Sequence, residues 1–160
     1  MAEHRAWSLP GLAAGLLLLV AASDEAGLAP WRGRVAAEAL EGPVSAVVQR
    51  VVDGDTIEVR AAIWLGQTLT VRVRINGVDA PELEARCAEE RQMALAARDF
   101  LVRRLEGAAV KLTGVSYDKY GGRVRANVAD GKGDVANALL ASGLARPYHG
   151  ERRQPWCVAT

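Results

Sequence analysis

The chain of 160 residues is poor in aromatic side chains, has two histidines and two cysteines, and carries almost no net charge. Aromatics are 5% of the residues, which leaves Tyr117, Tyr120 and Tyr148 as the usable stacking groups and weakens any reading as a pure stacking platform. His4 lies at the extreme N-terminus and His149 stands alone, so no Ser-His-Asp or Cys-His arrangement is available. The formal net charge of +1 lacks the basic excess common in nucleic-acid binders, and any attraction for phosphate must come from local placement of arginines. Cys87 and Cys157 lack metal-ligand spacing, which sets zinc aside. There is no internal repeat, no low-complexity tract and no apolar run of comfortable membrane-spanning length.

The N-terminus reads as a secretion signal. His4 and Arg5 form a short polar start, residues 9–22 are apolar and rich in leucine, and Val20-Ala21-Ala22 supplies the small residues that a signal peptidase cuts after. The alternatives are a short uncleaved anchor or a disordered tail. A secreted or periplasmic location is the expectation. An even cysteine count in an exported chain permits a Cys87–Cys157 disulfide, which would close a loop of about 70 residues; two unrelated thiols are the alternative. Residues 23–42, rich in alanine and charge, read as a linker with a short helix at residues 35–40. The folded domain is expected over residues 43–160.

Within that domain, residues 44–52, 56–63 and 68–75 carry the β pattern, with Asp53-Gly54-Asp55 and Leu65-Gly66-Gln67 as punctuation. In Val71-Arg72-Val73-Arg74-Ile75 the alternation is strict, so one face is apolar and the other carries both arginines. Residues 84–105 form the clearest helix, with Ala94, Leu95, Ala97, Phe100, Leu101 and Leu105 near helical spacing. Residues 109–115 and 123–128 read as two further strands around a loop at 117–122. Asp130-Gly131 marks a hairpin turn, and residues 135–142 a short helix. Five short strands with one helix between the third and fourth suit a mainly β, α+β architecture, a small barrel of the oligonucleotide-binding (OB-fold) type. An α+β sandwich is the fallback, and periodicity alone leaves the two nearly even.

Two short acidic segments sit at neighbouring strand ends: Asp53 and Asp55 flank a glycine, and Asp79 and Glu82 flank Pro81. Each has an ordinary explanation. Asp and Gly are common turn formers, and acids favour a helix N-terminus. Together they offer the oxygen ligands that a hard cation such as calcium takes. Hydrolysis of a phosphodiester needs a positioned water, a base, and positive charge on the transition state. A carboxylate supplies the base, while a metal and arginines supply the charge. Arg74 and Arg123 are the candidate forks for phosphate oxygens.

Val52-Asp53-Gly54-Asp55-Thr56, Arg74 with Val78-Asp79-Ala80-Pro81-Glu82, and Asp118-Lys119-Tyr120-Gly121 resemble the three signature segments of the staphylococcal nuclease (thermonuclease) family. The resemblance extends to Ala129-Asp130-Gly131-Lys132 and residues 138–145, covering roughly residues 44–148. It implies an OB-fold barrel that hydrolyses DNA and RNA with calcium, prefers unpaired strands, and acts as a monomer through phosphate contacts. It further implies that Asp55 and Asp79 ligate the metal together with the backbone carbonyl of Ala80. Glu82 would be the base or water-positioning group, and Arg74 and Arg123 would clamp the phosphate. Lys119 and Tyr120 would touch a terminal phosphate, with Asp53 near the metal but not a ligand.

The sequence departs from the family pattern at four places. Ala80 stands where the best-known members have threonine. The loop reads Tyr-Gly-Gly-Arg, so an ungapped match puts Gly122 at the arginine position, and Arg123 takes that role only if the loop absorbs one residue. Arg72 shares a strand face with Arg74 and competes for its role, though spacing to Asp79 favours Arg74. The family's terminal helix is not evident before Thr160, and a Cys87–Cys157 bridge is expected to tie down that end. The alternative functions are a catalytically silent barrel binding single-stranded nucleic acid or another ligand, and a structural protein of the export compartment.

Overall fold

The computed structural model describes residues 38–157. The signal or anchor at residues 9–22 and residues 23–37 of the linker lie outside the described residues. In chain order the elements are β1 (Ala39–Leu40), β2 (Val44–Asp53), β3 (Thr56–Trp64), β4 (Gln67–Ile75), β5 (Val78–Asp79), α1 (Ala88–Leu105), β6 (Ala109–Tyr117), β7 (Arg123–Asp130), β8 (Gly133–Asp134), α2 (Val135–Ala141) and β9 (Arg146–Pro147).

β2 pairs antiparallel with both β3 and β6, β3 antiparallel with β4, and β4 parallel with β7. The antiparallel β6–β7 ladder then joins the two ends, so β6-β2-β3-β4-β7 closes into a five-stranded barrel. That closure decides for the OB-fold barrel and against the sandwich. Period-2 alternation aims one apolar line per strand inward: Ile57 and Val59, Val73 and Ile75, Val110 and Leu112, Ala126 and Val128 are all buried. α1 packs against β2, and α2 buries Val135 and Leu139 in the same core.

Three expectations are corrected. The main helix starts at Ala88 and not at residue 84, because Cys87 holds an extended backbone as N-cap and the Glu90 carboxylate accepts from the Arg86 N–H, closing the helix start there. Leu95 is 42% exposed; the buried stripe runs Glu90, Ala94, Ala97, Leu101 and Leu105, and one residue on from Ala94 turns about 100° away from it. The helix expected at residues 35–40 is not formed at its described end. Ala39 and Leu40 instead pair with Ser116 and Val115, because the end of β6 offers unpaired backbone groups there. Residues 35–37 lie outside the described residues.

Two tethers hold the elements around the barrel. Cys87 and Cys157 are disulfide-bonded, joining the start of α1 to the C-terminal segment. Arg104, in the last turn of α1, forks onto Asp130 at the end of β7, with Nε–Oδ2 and Nη2–Oδ1 both 2.8 Å. Both side chains are nearly buried, and the hydrogen bonds from Arg104 hold the Asp130 carboxyl below its usual range. A depressed carboxylate stabilises the fold above its unfolded pKa, and that contribution is lost as pH falls through the native value.

Cys157→Ser is expected to destabilise the oxidised protein by about 3–4 kcal/mol, the amount typical for a bridge closing a loop of this length, measured by urea or thermal unfolding. Arg104→Ala is expected to cost about 3 kcal/mol near neutral pH, since it strands a nearly buried carboxylate. The gap between wild type and this variant should narrow on acidification, as Asp130 takes up a proton. Parallel stability curves at all pH values would refute that assignment.

Candidate active site

The Asp53-Gly54-Asp55 turn joins β2 to β3 and is pressed against two other segments. A Cβ on Gly54 would lie 2.9 Å from the Cβ of Ala80 and 2.9 Å from that of Ala97. The glycine is therefore required by close approach to the β5 exit and α1. The turn is fixed further by Ile75 N–H donating to the Asp55 carbonyl at 2.9 Å. Asp55 Oδ1 accepts from Thr56 Oγ1 at 2.9 Å, and Oδ2 accepts from the Ala80 N–H at 3.3 Å.

Arg74, near the end of β4, reaches into this cluster. Its Nη1 lies 2.6 Å from Asp55 Oδ2, and its Nη2 lies 3.5 Å from Asp79 Oδ1 and 3.3 Å from the Val78 carbonyl. Arg74, Asp55 and Asp79 are all buried. Arg72, two residues earlier on the same face, is 54% exposed and leans toward Glu58. The difference is positional: the Arg74 guanidinium meets the Val78 carbonyl and Asp79 of β5, whereas Arg72 meets only Glu58. Spacing to Asp79 thus picks the arginine that reaches the carboxylates.

A cation from the C-terminal segment completes the cluster. Arg153 Nε lies 2.8 Å from Asp79 Oδ1 and Nη2 3.9 Å from Asp55 Oδ2, while Nη1 donates to Glu82 Oε1. Burial raises the Asp79 carboxyl above its usual range, more than Arg153 lowers it. Burial is the largest single effect on Glu82 and acts upward, but the hydrogen bonds with Arg153 and Asp53 and the charges of Arg153 and Arg74 together outweigh it, and the net position is below the ordinary value. Asp53 is pushed up to about 7, first by burial and then by the neighbouring Glu82 carboxylate, against the Gly54 N–H that favours its charged form.

The donor set fits a hard divalent cation. Carboxylates of Asp55, Asp79 and Glu82 from two segments face one guanidinium, and their hard oxygens are the donor type such a cation takes. Cys87, Glu90 and Cys157 also lie together, but both sulfurs are consumed by the disulfide and offer no thiolate.

The second wall is cationic. The loop at residues 118–122 turns at Gly122, whose φ of +82° is the left-handed region that glycine enters without strain. Arg123 then opens β7, hydrogen-bonded to Asp118, with its guanidinium 4.9 Å from the Tyr120 ring centroid. Lys119 Nζ is 5.1 Å from the same ring. The parallel β4–β7 register sets Arg123 beside Arg72 and Arg125 beside Arg74. Arg74, Lys119, Tyr120, Arg123, Tyr148 and Arg153 line one cleft of about 710 Å³.

The structure thus gathers Arg74, Asp55, Asp79, Ala80 and Glu82 into one cluster, and brings Lys119, Tyr120 and Arg123 to the cleft that Arg74 shares. For Ala80 the group facing Asp55 is its N–H. Sequence reasoning missed Arg125, Arg153 and the placement of Tyr148, whose ring centroid is 6.0 Å from Arg74. The signal for Arg153 was present. If Cys157 bonds Cys87, a residue four before it must pass near Glu82, five before Cys87.

A closed five-stranded barrel of the oligonucleotide-binding type, with an acidic cluster held by two arginines that also line a cationic cleft, defines the class of protein. Residues 72–156 match the model of the family described as staphylococcal nuclease homologue, more than half of the chain, and the chain belongs to that family. The matched stretch contains the Arg74, Asp79–Glu82 and Asp118–Arg123 segments. The Asp53–Asp55 turn precedes it and is joined to the cluster by geometry. None of the curated proteins compared with the chain matches it.

Gly54→Ala is expected to destabilise the protein by about 1–3 kcal/mol through overpacking between Ala80 and Ala97. Thermal unfolding checks this. An unchanged melting temperature would show that the turn has room the geometry denies it.

Proposed function

We propose that the chain is an exported, calcium-dependent nuclease that hydrolyses phosphodiester bonds of DNA and RNA, single strands preferred, as a monomer. The observation that carries the reading is the gathering of Asp55, Asp79 and Glu82 around Arg74 and Arg153, two arginines that also line a cleft with Arg123, Lys119 and Tyr120. Asp55 and Asp79, with the Ala80 carbonyl, would hold the cation. When bound, a divalent cation supplies Lewis-acid charge to the phosphoryl oxygens. Glu82 accepts the proton of the attacking water; the new P–O bond forms as the ester P–O bond breaks, and the departing oxygen is protonated by solvent.

Arg74 arrives preorganised, since its bonds to Asp55 and Asp79 set the direction of its fork before substrate binds. Arg123 is oriented by Asp118 and Tyr120, and Lys119 with Tyr120 would receive a terminal phosphate and its base. Contacts of this kind go to phosphate, so sequence preference is weak. Export rests on residues 1–22 as a signal peptide, with residues 23–42 as linker and 43–160 as the catalytic domain. The disulfide suits an oxidising compartment.

The second reading is a silent barrel that binds single strands. The observation favouring it is Arg153, whose guanidinium neutralises the carboxylates that a cation would need.

Purified residues 23–160 should cleave denatured DNA and RNA with calcium and lose cleavage with a chelator. Glu82→Gln and Arg123→Ala should each lower kcat by about 10²–10³-fold with the fold intact. Oligonucleotide binding without cleavage in any divalent metal would support the silent barrel instead.

A further inference from the structure

The C-terminal residues 148–157 form a strap beside the acidic cluster, anchored on both sides of Arg153. Ahead of it, Tyr148 N–H donates to the Gly77 carbonyl at 3.0 Å. Behind it, Arg146 Nη1 donates to the Pro155 carbonyl at 3.2 Å, and the Arg146 guanidinium lies 3.7 Å from the Trp156 ring centroid. Cys157 closes the strap onto Cys87 at the start of α1. Between these anchors Arg153, 40% exposed, bridges Asp79, Asp55 and Glu82.

A guanidinium and a divalent cation compete for the same carboxylate oxygens, by charge and by volume. We propose that Arg153 is a built-in counter-cation holding the place a divalent cation would take, and that the disulfide-anchored strap sets the metal affinity of the site by how readily it releases this side chain. The proposal rests on the metal-site reading given above. Arg74 does not compete in the same way: it is buried in the wall of the barrel and braces the two aspartates. Arg153 reaches the carboxylates from an exposed segment and has somewhere to go. It also lines the cleft of Arg74, Arg123 and Lys119, so release carries it toward the cationic wall where a phosphate would sit. Metal binding and phosphate binding would then favour the same movement, each removing a charge that the other must otherwise displace.

The population in which Arg153 occupies the carboxylates lowers apparent calcium affinity by the fraction of molecules that remain competent. Calcium binding to oxidised wild type, Arg153→Gln and Arg153→Lys, followed by isothermal titration calorimetry, tests this. Arg153→Gln should bind calcium about tenfold tighter or more, and Arg153→Lys, which keeps the charge but loses the fork, should fall between. Without metal, Arg153→Gln should melt below wild type, because its carboxylates repel one another. Saturating calcium should close that gap. The Cys87→Ser/Cys157→Ser pair should also bind calcium several-fold tighter than wild type, since the strap loses one anchor. Equal or weaker calcium binding by folded Arg153→Gln overturns the proposal and leaves the metal site standing. Absence of calcium binding in every variant overturns both. Unchanged affinity in the double serine variant overturns the role of the strap.

Discussion

Like charges forced together in a poorly solvated place must be compensated or they will not ionise together. Asp53, Asp55, Asp79 and Glu82 arrive from two segments at one end of the barrel, and Arg74 is the compensation that the barrel itself provides. Its position follows from the strand: near the end of β4 its guanidinium meets the Val78 carbonyl and Asp79 of β5 and is buried, while Arg72, two residues back, is exposed. Without a buried cation there, Asp55 and Asp79 would pay the full cost of burial, and the loops that carry them would have reason to spread apart.

That single enclosed charge is supported by packing that leaves little freedom. Gly54 brings the first acidic turn into contact with Ala80 and Ala97, so the turn packs directly on the β5 exit and α1. β9 pairs with β5 and aligns Asp79 opposite Arg146, which in turn carries Pro155 and Trp156. The C-terminal segment is therefore part of the site's frame. The disulfide extends that frame to the start of α1.

The cationic wall works on a different principle. Lys119 and Tyr120 sit on an exposed loop and Arg123 at the start of β7, oriented by Asp118 and by cation–π contact. Such a wall adapts to a ligand, whereas the acidic cluster is preset. The division suits a site that must place one atom accurately and grip a flexible chain around it.

Much of this was legible in the residues. Alternation in Val71–Ile75, the turn at Asp53–Asp55, the hairpin at Asp130-Gly131 and the order of strands and helices are local properties, and each is written in a window shorter than a dozen residues. The acidic and arginine inventory was legible for the same reason, and its motifs named the family. Tertiary structure alone decided the rest. Closure by the β6–β7 ladder, the turning away of Leu95 and the pairing of Ala39–Leu40 with β6 depend on what packs against each position. Arg153 is the clearest case: it stands 71 residues from Glu82 along the chain, and only the folded path of the strap brings the two into contact. Local sequence determines which conformations and charges each segment offers. Which of them meet is set by long-range packing, whose free energy no single segment contains.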